Sequence, residues 1–282
     1  MMKTTTSGMN QRIGLLVLFT ILAVLALFPF YCLFLASFKP TTELLRNGLN
    51  VKLQPELWTL ENYRHLFTED GIRYWYWYRN SLLLTAMQTV TSLFFSAFVG
   101  YGLAIYQFKG RNLLFGLVLF TMMIPLEILI LPLYKTMIFF RLINTYPGVF
   151  LPFMVMPFMV FFFRQYSLGL PKDLLDSARI DGCTEYGSFF RVMLPLMLPA
   201  FGAMAILQAL FSWNSILWPL IVLRTTEMFT LPIGLASLLS PYGNNYLMLM
   251  SGSVLSVLPI LILFLLFQKA FISGLTIGAV KG

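Results

Sequence analysis

Residues 13–38 read IGLLVLFTILAVLALFPFYCLFLASF, and this stretch decides the fold class. It holds 26 residues between Arg12 and Lys39 without one charged side chain. A helix needs roughly 20 mostly apolar residues to cross a hydrocarbon core about 30 Å thick. The stretch therefore predicts a membrane-spanning helix, and it is too long for the apolar part of a signal peptide.

Five more runs of 22 to 41 residues follow, each free of charged side chains except for Glu127 in the second of them. Transmembrane β-strands would read as alternating segments of about ten residues, and these runs do not alternate. The sequence therefore predicts an all-α fold, a polytopic membrane protein with six transmembrane helices. The predicted helices cover residues 13–38, 80–107, 112–134, 146–163, 196–223 and 247–268.

The composition agrees with a membrane protein and excludes several other classes. Of the 282 residues, 59% are apolar and 11% are charged, against about 25% charged in a typical soluble domain. The mean hydropathy is +0.80. These values exclude an ordinary cytosolic enzyme and a disordered chain. The 19 Lys and Arg residues that give the net charge of +8 are scattered and form no patch, which excludes a nucleic-acid binder.

Metal and disulfide chemistry is not expected. The chain has two cysteines and one histidine. Cys32 lies in an apolar run and Cys183 in a polar loop, so the two thiols are expected at different membrane levels. His65 has no ligand-type neighbour at helical spacing, which favours a solvated loop histidine over a metal ligand.

The basic residues predict a cytoplasmic N-terminus. With that orientation, and with the external loop 39–79 set aside, ten Lys or Arg residues lie on the cytoplasmic side and three outside, as the positive-inside rule requires. The chain then divides into cytoplasmic residues 1–12, a six-helix membrane domain over 13–272 and a cytoplasmic tail over 273–282. The aromatic residues 74–78 fit either an interfacial belt or a platform for stacking a sugar.

Two predicted spans carry notable polar side chains. Glu127, in a helix that Pro125 and Pro132 are expected to kink, is the one ionisable residue within a span. Because a charge is costly in lipid, we expect it to face the bundle interior or a wet cavity, either on a translocation path or in support of the broken helix. The fifth span offers two amide and two indole side chains, those of Gln208, Asn214, Trp213 and Trp218. They fit either helix–helix contacts or a path for an uncharged hydroxylated solute.

The loop 164–195 predicts two short amphipathic helices. The first begins after Pro171 and ends at Gly182, with apolar positions Leu174, Leu175 and Ala178. The second has an apolar stripe at i, i+3, i+4 and i+7, formed by Tyr186, Phe189, Phe190 and Met193. Neither helix can span a membrane, so their apolar faces need cover from lipid or from another protein surface.

The same loop resembles a known motif. Residues 176–183, Asp-Ser-Ala-Arg-Ile-Asp-Gly-Cys, with Phe189 and 194–195 (Leu-Pro), are similar to the EAA loop of binding-protein-dependent ABC importer permeases. That pattern is roughly E-A-A-x-x-D-G-A, so Asp176, Ser177 and Cys183 depart from it. The ending, residues 274–282, resembles the C-terminal tail of maltose-type second permease subunits. Short segments within 164–171, 228–234 and 240–246 resemble permeases for arabinan-derived oligosaccharides of Gram-positive bacteria.

The resemblance implies an ABC importer type I permease fold and gives roles to three groups of residues. The loop would dock on a cytoplasmic ATPase through Asp176, Ser177, Ala178, Arg179, Asp181, Gly182, Glu185, Tyr186, Phe189 and Phe190. The tail would contact the ATPase through Gly274, Leu275, Thr276 and Gly278. An outer turn would either enter the cleft of a sugar-binding protein or be a plain surface turn, and it comprises Tyr242, Asn244, Asn245 and Tyr246.

The implied function is that of a permease subunit in an ATP-driven importer for sugars such as arabino-oligosaccharides, in the bacterial plasma membrane with both termini cytoplasmic. The implied partners are a second homologous permease, two copies of an ABC ATPase, an extracellular sugar-binding lipoprotein and membrane lipid, without nucleic acid. The sequence has no Gly-x-x-x-x-Gly-Lys motif, so ATP and Mg are expected on the ATPase and no cofactor or catalysis on this chain.

Two other functions remain open at this stage. A permease for another solute, such as glycerol phosphate, would need basic residues facing the path, and none is identified in the spans. A stand-alone secondary transporter would need more intramembrane ionisable groups than Glu127 alone provides.

Overall fold

The computed structural model describes residues 6–48, 51–68, 72–240 and 243–277, of which 6–10, 240, 243–244 and 270–277 are described by their backbone only. These residues are almost entirely helical. Among them, by length and composition, are three continuous helices that could cross a membrane, or up to six spans if each of three bent helix pairs counts as one. The contacts divide the chain into two compact units, residues 1–74 with 237–257 and residues 75–236 with 258–282.

The continuous helices are α1 (Thr6–Ser37), α4 (Ile72–Ile105) and α15 (Tyr246–Ile277). Helix α4 begins eight residues before the predicted start at residue 80, because its first two turns carry the aromatic run 74–78 and pack Tyr74 and Trp77 into the protein. Pro29 and Pro259 lie inside α1 and α15 without ending them. The side chains of residues 11–31 are all exposed in the isolated chain.

The first unit also contains the short helices α2 (Thr41–Asn47) and α3 (Glu61–His65), a 3₁₀ turn (Pro55–Leu57) and a two-residue hairpin of β1 (Leu239–Ser240) and β2 (Gly243–Asn244). Buried polar groups fix the segment that follows α1. Asn62 donates to the carbonyls of Ser37 (2.7 Å) and Lys39 (2.9 Å). Lys39 is buried and donates to the carbonyl of Lys52 at 2.8 Å. Side-chain to backbone bonds therefore hold the described residues around Lys39, Lys52 and Asn62 together at the end of α1.

Prolines break the spans of the second unit. Helices α5 (Arg111–Met122) and α6 (Leu126–Phe139) meet at 105°, so the span predicted over 112–134 with a kink is two helices with a sharp break, and it extends to Phe139. Pro125 has no N–H to continue α5 and disfavours helical backbone at the residue before it. Helix α7 (Tyr146–Phe150) with a 3₁₀ turn (Leu151–Phe153) meets α8 (Pro157–Leu168) at 44° before Pro157, and α8 continues beyond the predicted end at residue 163.

The predicted fifth span, 196–223, is also interrupted. Helix α11 (Leu194–Leu196) is followed by α12 (Leu198–Trp213), and after a break of three residues the chain resumes as α13 (Leu217–Val222). The segment from Glu185 to Leu196 meets α12 at 75°. A 3₁₀ turn (Thr226–Met228) and α14 (Leu231–Ser237) lead out of this region. Residues 214–216, which the prediction placed within a helix, lie at the break.

Three apolar clusters of described residues belong to the core of the second unit. One joins α4, α8 and α12 through residues such as Ala97, Phe163 and Met204. Another packs Trp218 and Val222 of α13 against α4, α6 and α7. The third contains Tyr101 of α4 with Leu175, Phe189 and Met193, and it holds the polar loop 164–195 against the membrane helices.

Candidate coupling site

The first part of the polar loop is α9 (Lys172–Ile180), which starts directly after Pro171. Its Leu175 and Ala178 are 3% and 6% exposed and face the core, as the spacing predicts, whereas Leu174 is exposed. The helix ends in a Schellman motif. Gly182, at φ +78°, donates to the carbonyl of Arg179 (3.1 Å), and Cys183 donates to that of Ala178 (2.9 Å). This arrangement requires a left-handed residue, which explains the glycine.

The second part of the loop is α10 (Glu185–Ser188), continued by a π-helical turn (Phe189–Met193). Thr184 caps it by accepting a hydrogen bond from the N–H of Gly187 at 3.1 Å. The predicted apolar stripe contacts α4. Phe189 is buried against Phe98 and Tyr101, with ring centroids 5.4 and 5.0 Å away. The stripe therefore anchors the loop to its own subunit.

The outer members of the stripe are stacked but remain exposed. Tyr186 lies parallel to Phe98 at 6.2 Å and Phe190 lies parallel to Phe94 at 6.1 Å. Their exposed fractions are 69% and 43%, against 1% for Phe189. The stripe thus has a buried centre and an open edge.

A polar network closes the bend between α9 and α10. Arg179 donates to both carboxylate oxygens of Glu185, at 3.0 and 3.2 Å, and to Asp176 at 3.3 Å. The hydroxyl of Tyr106, just after α4, donates to Glu185 at 2.8 Å. The bond to Glu185 raises the pKa of the Arg179 guanidinium, so it stays charged. Burial, followed by the bond to Glu185, raises the pKa of Tyr106, so its hydroxyl remains a donor. The network ties the loop to the end of the second span.

The face turned away from the core carries the exposed groups Asp176, Ser177, Asp181, Gly182 and Ile180. Ile180 is 86% exposed. It lies two residues from Ala178, about 200° around the helix from the buried face. Its exposed side chain is available for contact with another protein. Sequence reasoning did not assign Ile180 a role, although its offset from the Leu175 and Ala178 face was a usable signal. It also missed Tyr106, Phe94 and Phe98, which lie far from the loop in sequence.

The five path candidates do not lie together. Gln208 and Trp218 line one cavity of about 540 Å³, whereas Trp213 lines a different apolar cavity of about 600 Å³. Asn214 is exposed and donates to the carbonyl of Leu210 in its own helix at 3.0 Å. Glu127 is exposed in the first turn of α6, where the helix dipole favours a negative charge. The structure therefore places Gln208 and Trp218 at one cavity and the other three candidates elsewhere.

The outer turn and the tail are described in part. Asn245 caps α15 by accepting a hydrogen bond from the N–H of Met248 at 3.0 Å, and Tyr246 is the first residue of that helix. Asn244 is described by its backbone in β2, and Tyr242 lies outside the described residues. Gly274, Leu275 and Thr276 belong to the last turns of α15, and Gly278 lies outside the described residues.

Within the residues that the structure describes, no three His, Cys, Asp or Glu side chains are close enough to hold a metal ion. Cys32 and Cys183 are free thiols. The chemistry that the loop offers is that of a contact surface: a capped, exposed helix with an ordered ion-pair network behind it.

Comparisons with known proteins agree with this geometry. Residues 92–277 match the family described as binding-protein-dependent transport system inner membrane component. The chain is 62% identical, over 96% of both chains, to the arabinooligosaccharides transport system permease protein AraQ of Bacillus subtilis (strain 168). It is 59% identical, over 94% of both, to the protein of the same name from Halalkalibacterium halodurans.

A solved structure shares the fold. A chain in the crystal structure of a bacterial ABC transporter involved in the import of the acidic polysaccharide alginate superposes with a TM-score of 0.83, covering 96% of this chain and 100% of that one at 23% identity. The predicted all-α ABC importer permease fold is therefore confirmed. With the family match and the end-to-end relatives, the chain belongs to the family of binding-protein-dependent transport system inner membrane components, the non-catalytic permease subunits of ABC importers.

Proposed function

We propose that this chain is one of two permease subunits of an ATP-driven importer for arabino-oligosaccharides. The observation that carries the proposal is the 62% identity to a permease of that name over 96% of both chains. Such a high identity over the whole length favours the same translocation path and the same surfaces for partner proteins. The family itself requires a binding protein, and we propose an extracellular sugar-binding lipoprotein, a second homologous permease and two copies of an ABC ATPase.

In this mechanism the ATPase docks on α9 and α10, with Ile180, Asp181 and Tyr186 at the contact. Closure of the ATPase pair on ATP and Mg moves the loop. Because Phe189 is buried against α4 and Arg179 is bonded to Glu185, the loop transmits that movement to the membrane helices as a rigid body. The ten-to-three charge asymmetry supports cytoplasmic termini and a cytoplasmic loop.

Two further contacts belong to the proposal. The tail from Gly274 to Gly278 reaches the ATPase, and the outer turn that precedes α15 meets the binding protein. The capping of α15 by Asn245 gives that turn a fixed base. Glu127 and Asn214, exposed in the isolated chain, are candidates for the face turned to the second permease and the shared pathway.

Reconstitution of the four components in proteoliposomes tests the function. We expect ATP-dependent uptake of arabinotriose that requires the binding protein, with little uptake of lactose or glycerol 3-phosphate. The isolated permease should hydrolyse no ATP, whereas the complex should do so. Uptake of glycerol 3-phosphate in preference to arabinotriose would overturn the assignment, as would transport by the permease without an ATPase.

A further inference from the structure

The cavity shared by Gln208 and Trp218 lies wholly within the second unit. It has a volume of about 540 Å³ and takes its polar lining from Gln88 of α4, Gln208 of α12 and Ser215 at the break before α13. Aromatic side chains from α12 and neighbouring segments complete it, among them Phe153, Phe211 and Trp218. Its size falls in the range of about 300–1,000 Å³ that small-molecule sites occupy.

Gln208 is the unusual member of this lining. It is 1% exposed, yet neither its amide nitrogen nor its amide oxygen has a hydrogen-bond partner among the residues that the structure describes. A buried primary amide without partners is unfavourable, and the great majority of buried polar side chains are bonded. Both amide atoms are shielded in this state, although the residue lines the cavity. A turn of the side chain towards the cavity would give the amide a ligand that can both donate and accept.

Two of the neighbouring groups, the amide oxygen of Gln88 and the indole of Trp218, already bond within the protein. Gln88 accepts a hydrogen bond from Ser212 at 3.1 Å. The indole N–H of Trp218 is directed to the carbonyls of Gly148 and Val149, each at 3.2 Å. These bonds fix part of the cavity wall. Among the described residues the amide nitrogen of Gln88 and the hydroxyl of Ser215 have no hydrogen bond, so they lie beside Gln208 as further groups for a ligand.

The lining also defines the chemistry of the ligand. No side chain that lines the cavity is ionisable, so a charged group would lose its hydration without gaining a partner. An amide matches hydroxyl groups, which both donate and accept, and aromatic side chains cover the apolar face of a ring. The cavity therefore fits an uncharged, hydroxylated ring.

We propose that this subunit has its own contact site for one sugar residue of the transported oligosaccharide, with the Gln208 amide as its polar anchor. The proposal rests on the proposed function and deepens it, because it gives this chain a share in recognising the substrate.

The test uses the reconstituted importer with Gln208→Met, which keeps the shape of the side chain and removes its hydrogen bonds. The matched control is Gln268→Met, since the Gln268 amide bonds the carbonyl of Leu265 in its own helix. We expect a roughly tenfold fall in arabinotriose uptake at subsaturating concentration for Gln208→Met, the effect of about one lost hydrogen bond. Complex assembly and ATPase stimulation by the binding protein without sugar should stay unchanged, and Gln268→Met should transport normally.

Several results would overturn the site. Uptake equal to the wild type in an assembled complex would remove Gln208 from recognition. If Gln208→Met does not assemble, Gln208→Asn keeps the amide and moves it by one methylene, and the same fall in uptake is expected. If the wild type imports another neutral sugar, the proposed substrate is wrong, and the site stands only if Gln208→Met lowers that uptake.

Discussion

Gly182 connects the two helices of the polar loop 164–195, the candidate coupling loop, through a single left-handed residue, at φ +78°. A Cβ placed there would meet nothing within 4 Å. Substitution therefore acts on the backbone and not through a clash. The left-handed region costs ordinary L-residues roughly 1–2 kcal/mol, and Asn less than most. The left-handed backbone at the bend therefore favours glycine at this position.

Replacing Gly182 by Val should weaken the bend, because a β-branched side chain is strained at positive φ. We expect a roughly tenfold loss of ATPase stimulation by loaded binding protein, matching about 1.4 kcal/mol. Gly182→Asn should retain most of the stimulation. Gly116→Val is the control, since Gly116 lies within helix α5 and a Cβ placed there would also meet nothing within 4 Å. Equal stimulation in the Gly182→Val and Gly116→Val importers would contradict this role.

Helix α4 organises the second unit, because it contacts both the core and the coupling loop. Its Gly100 lies against α8. A Cβ at that position would be 2.8 Å from the carbonyl oxygen of Val160 and 2.9 Å from the amide nitrogen of Arg164. Two residues further along, a Cβ at Gly102 would meet nothing within 4 Å. Only the first glycine is needed for close helix packing.

The pair Gly100 and Gly102 gives a matched test of that packing. Gly100→Ala should destabilise the subunit by about 1–3 kcal/mol, because backbone atoms of α8 would have to move. Gly102→Ala should be neutral or slightly stabilising, as Ala favours helix over Gly. Thermal unfolding of the purified complex measures the difference. Equal midpoints for the two variants would show that α4 and α8 do not approach as closely as described.

The spans were predictable from the sequence because long uncharged runs have few alternatives in a membrane protein. The broken helices were predictable in part. Pro125 and Pro157 mark two breaks directly, and Pro219 marks the first turn of α13, where a missing N–H costs little. The π-helical turn at Phe189–Met193 and the two separate cavities depend on packing between distant segments, so no local pattern reveals them. The candidate coupling residues came from a motif, and the spacing of Ile180 was a further signal in the sequence, whereas Tyr106 and Phe94 required the three-dimensional structure.

The reactivity of the Cys183 thiol reports the orientation of the chain in the membrane. Cys183 is free, half-buried and located in the polar loop. In a Cys32→Ala background, a membrane-impermeant maleimide should modify Cys183 in inside-out vesicles and not in right-side-out vesicles, and added ATPase should slow the reaction. A gel-shift assay measures the extent. Modification in right-side-out vesicles would reverse the proposed topology and place the loop on the side opposite a cytoplasmic ATPase.

The Schellman motif at the end of α9 has a consequence for partner choice. The carbonyls of Ala178 and Arg179 are already bonded by Cys183 and Gly182, and main-chain acceptors at a helix end are otherwise available to a neighbour. Because these two carbonyls are occupied, a partner protein recognises this surface by the shape and charge of its side chains. If the ATPase docks on this surface as we propose, exchange of Ile180 or Asp181 changes which ATPase the permease binds and leaves the backbone of the loop unaltered.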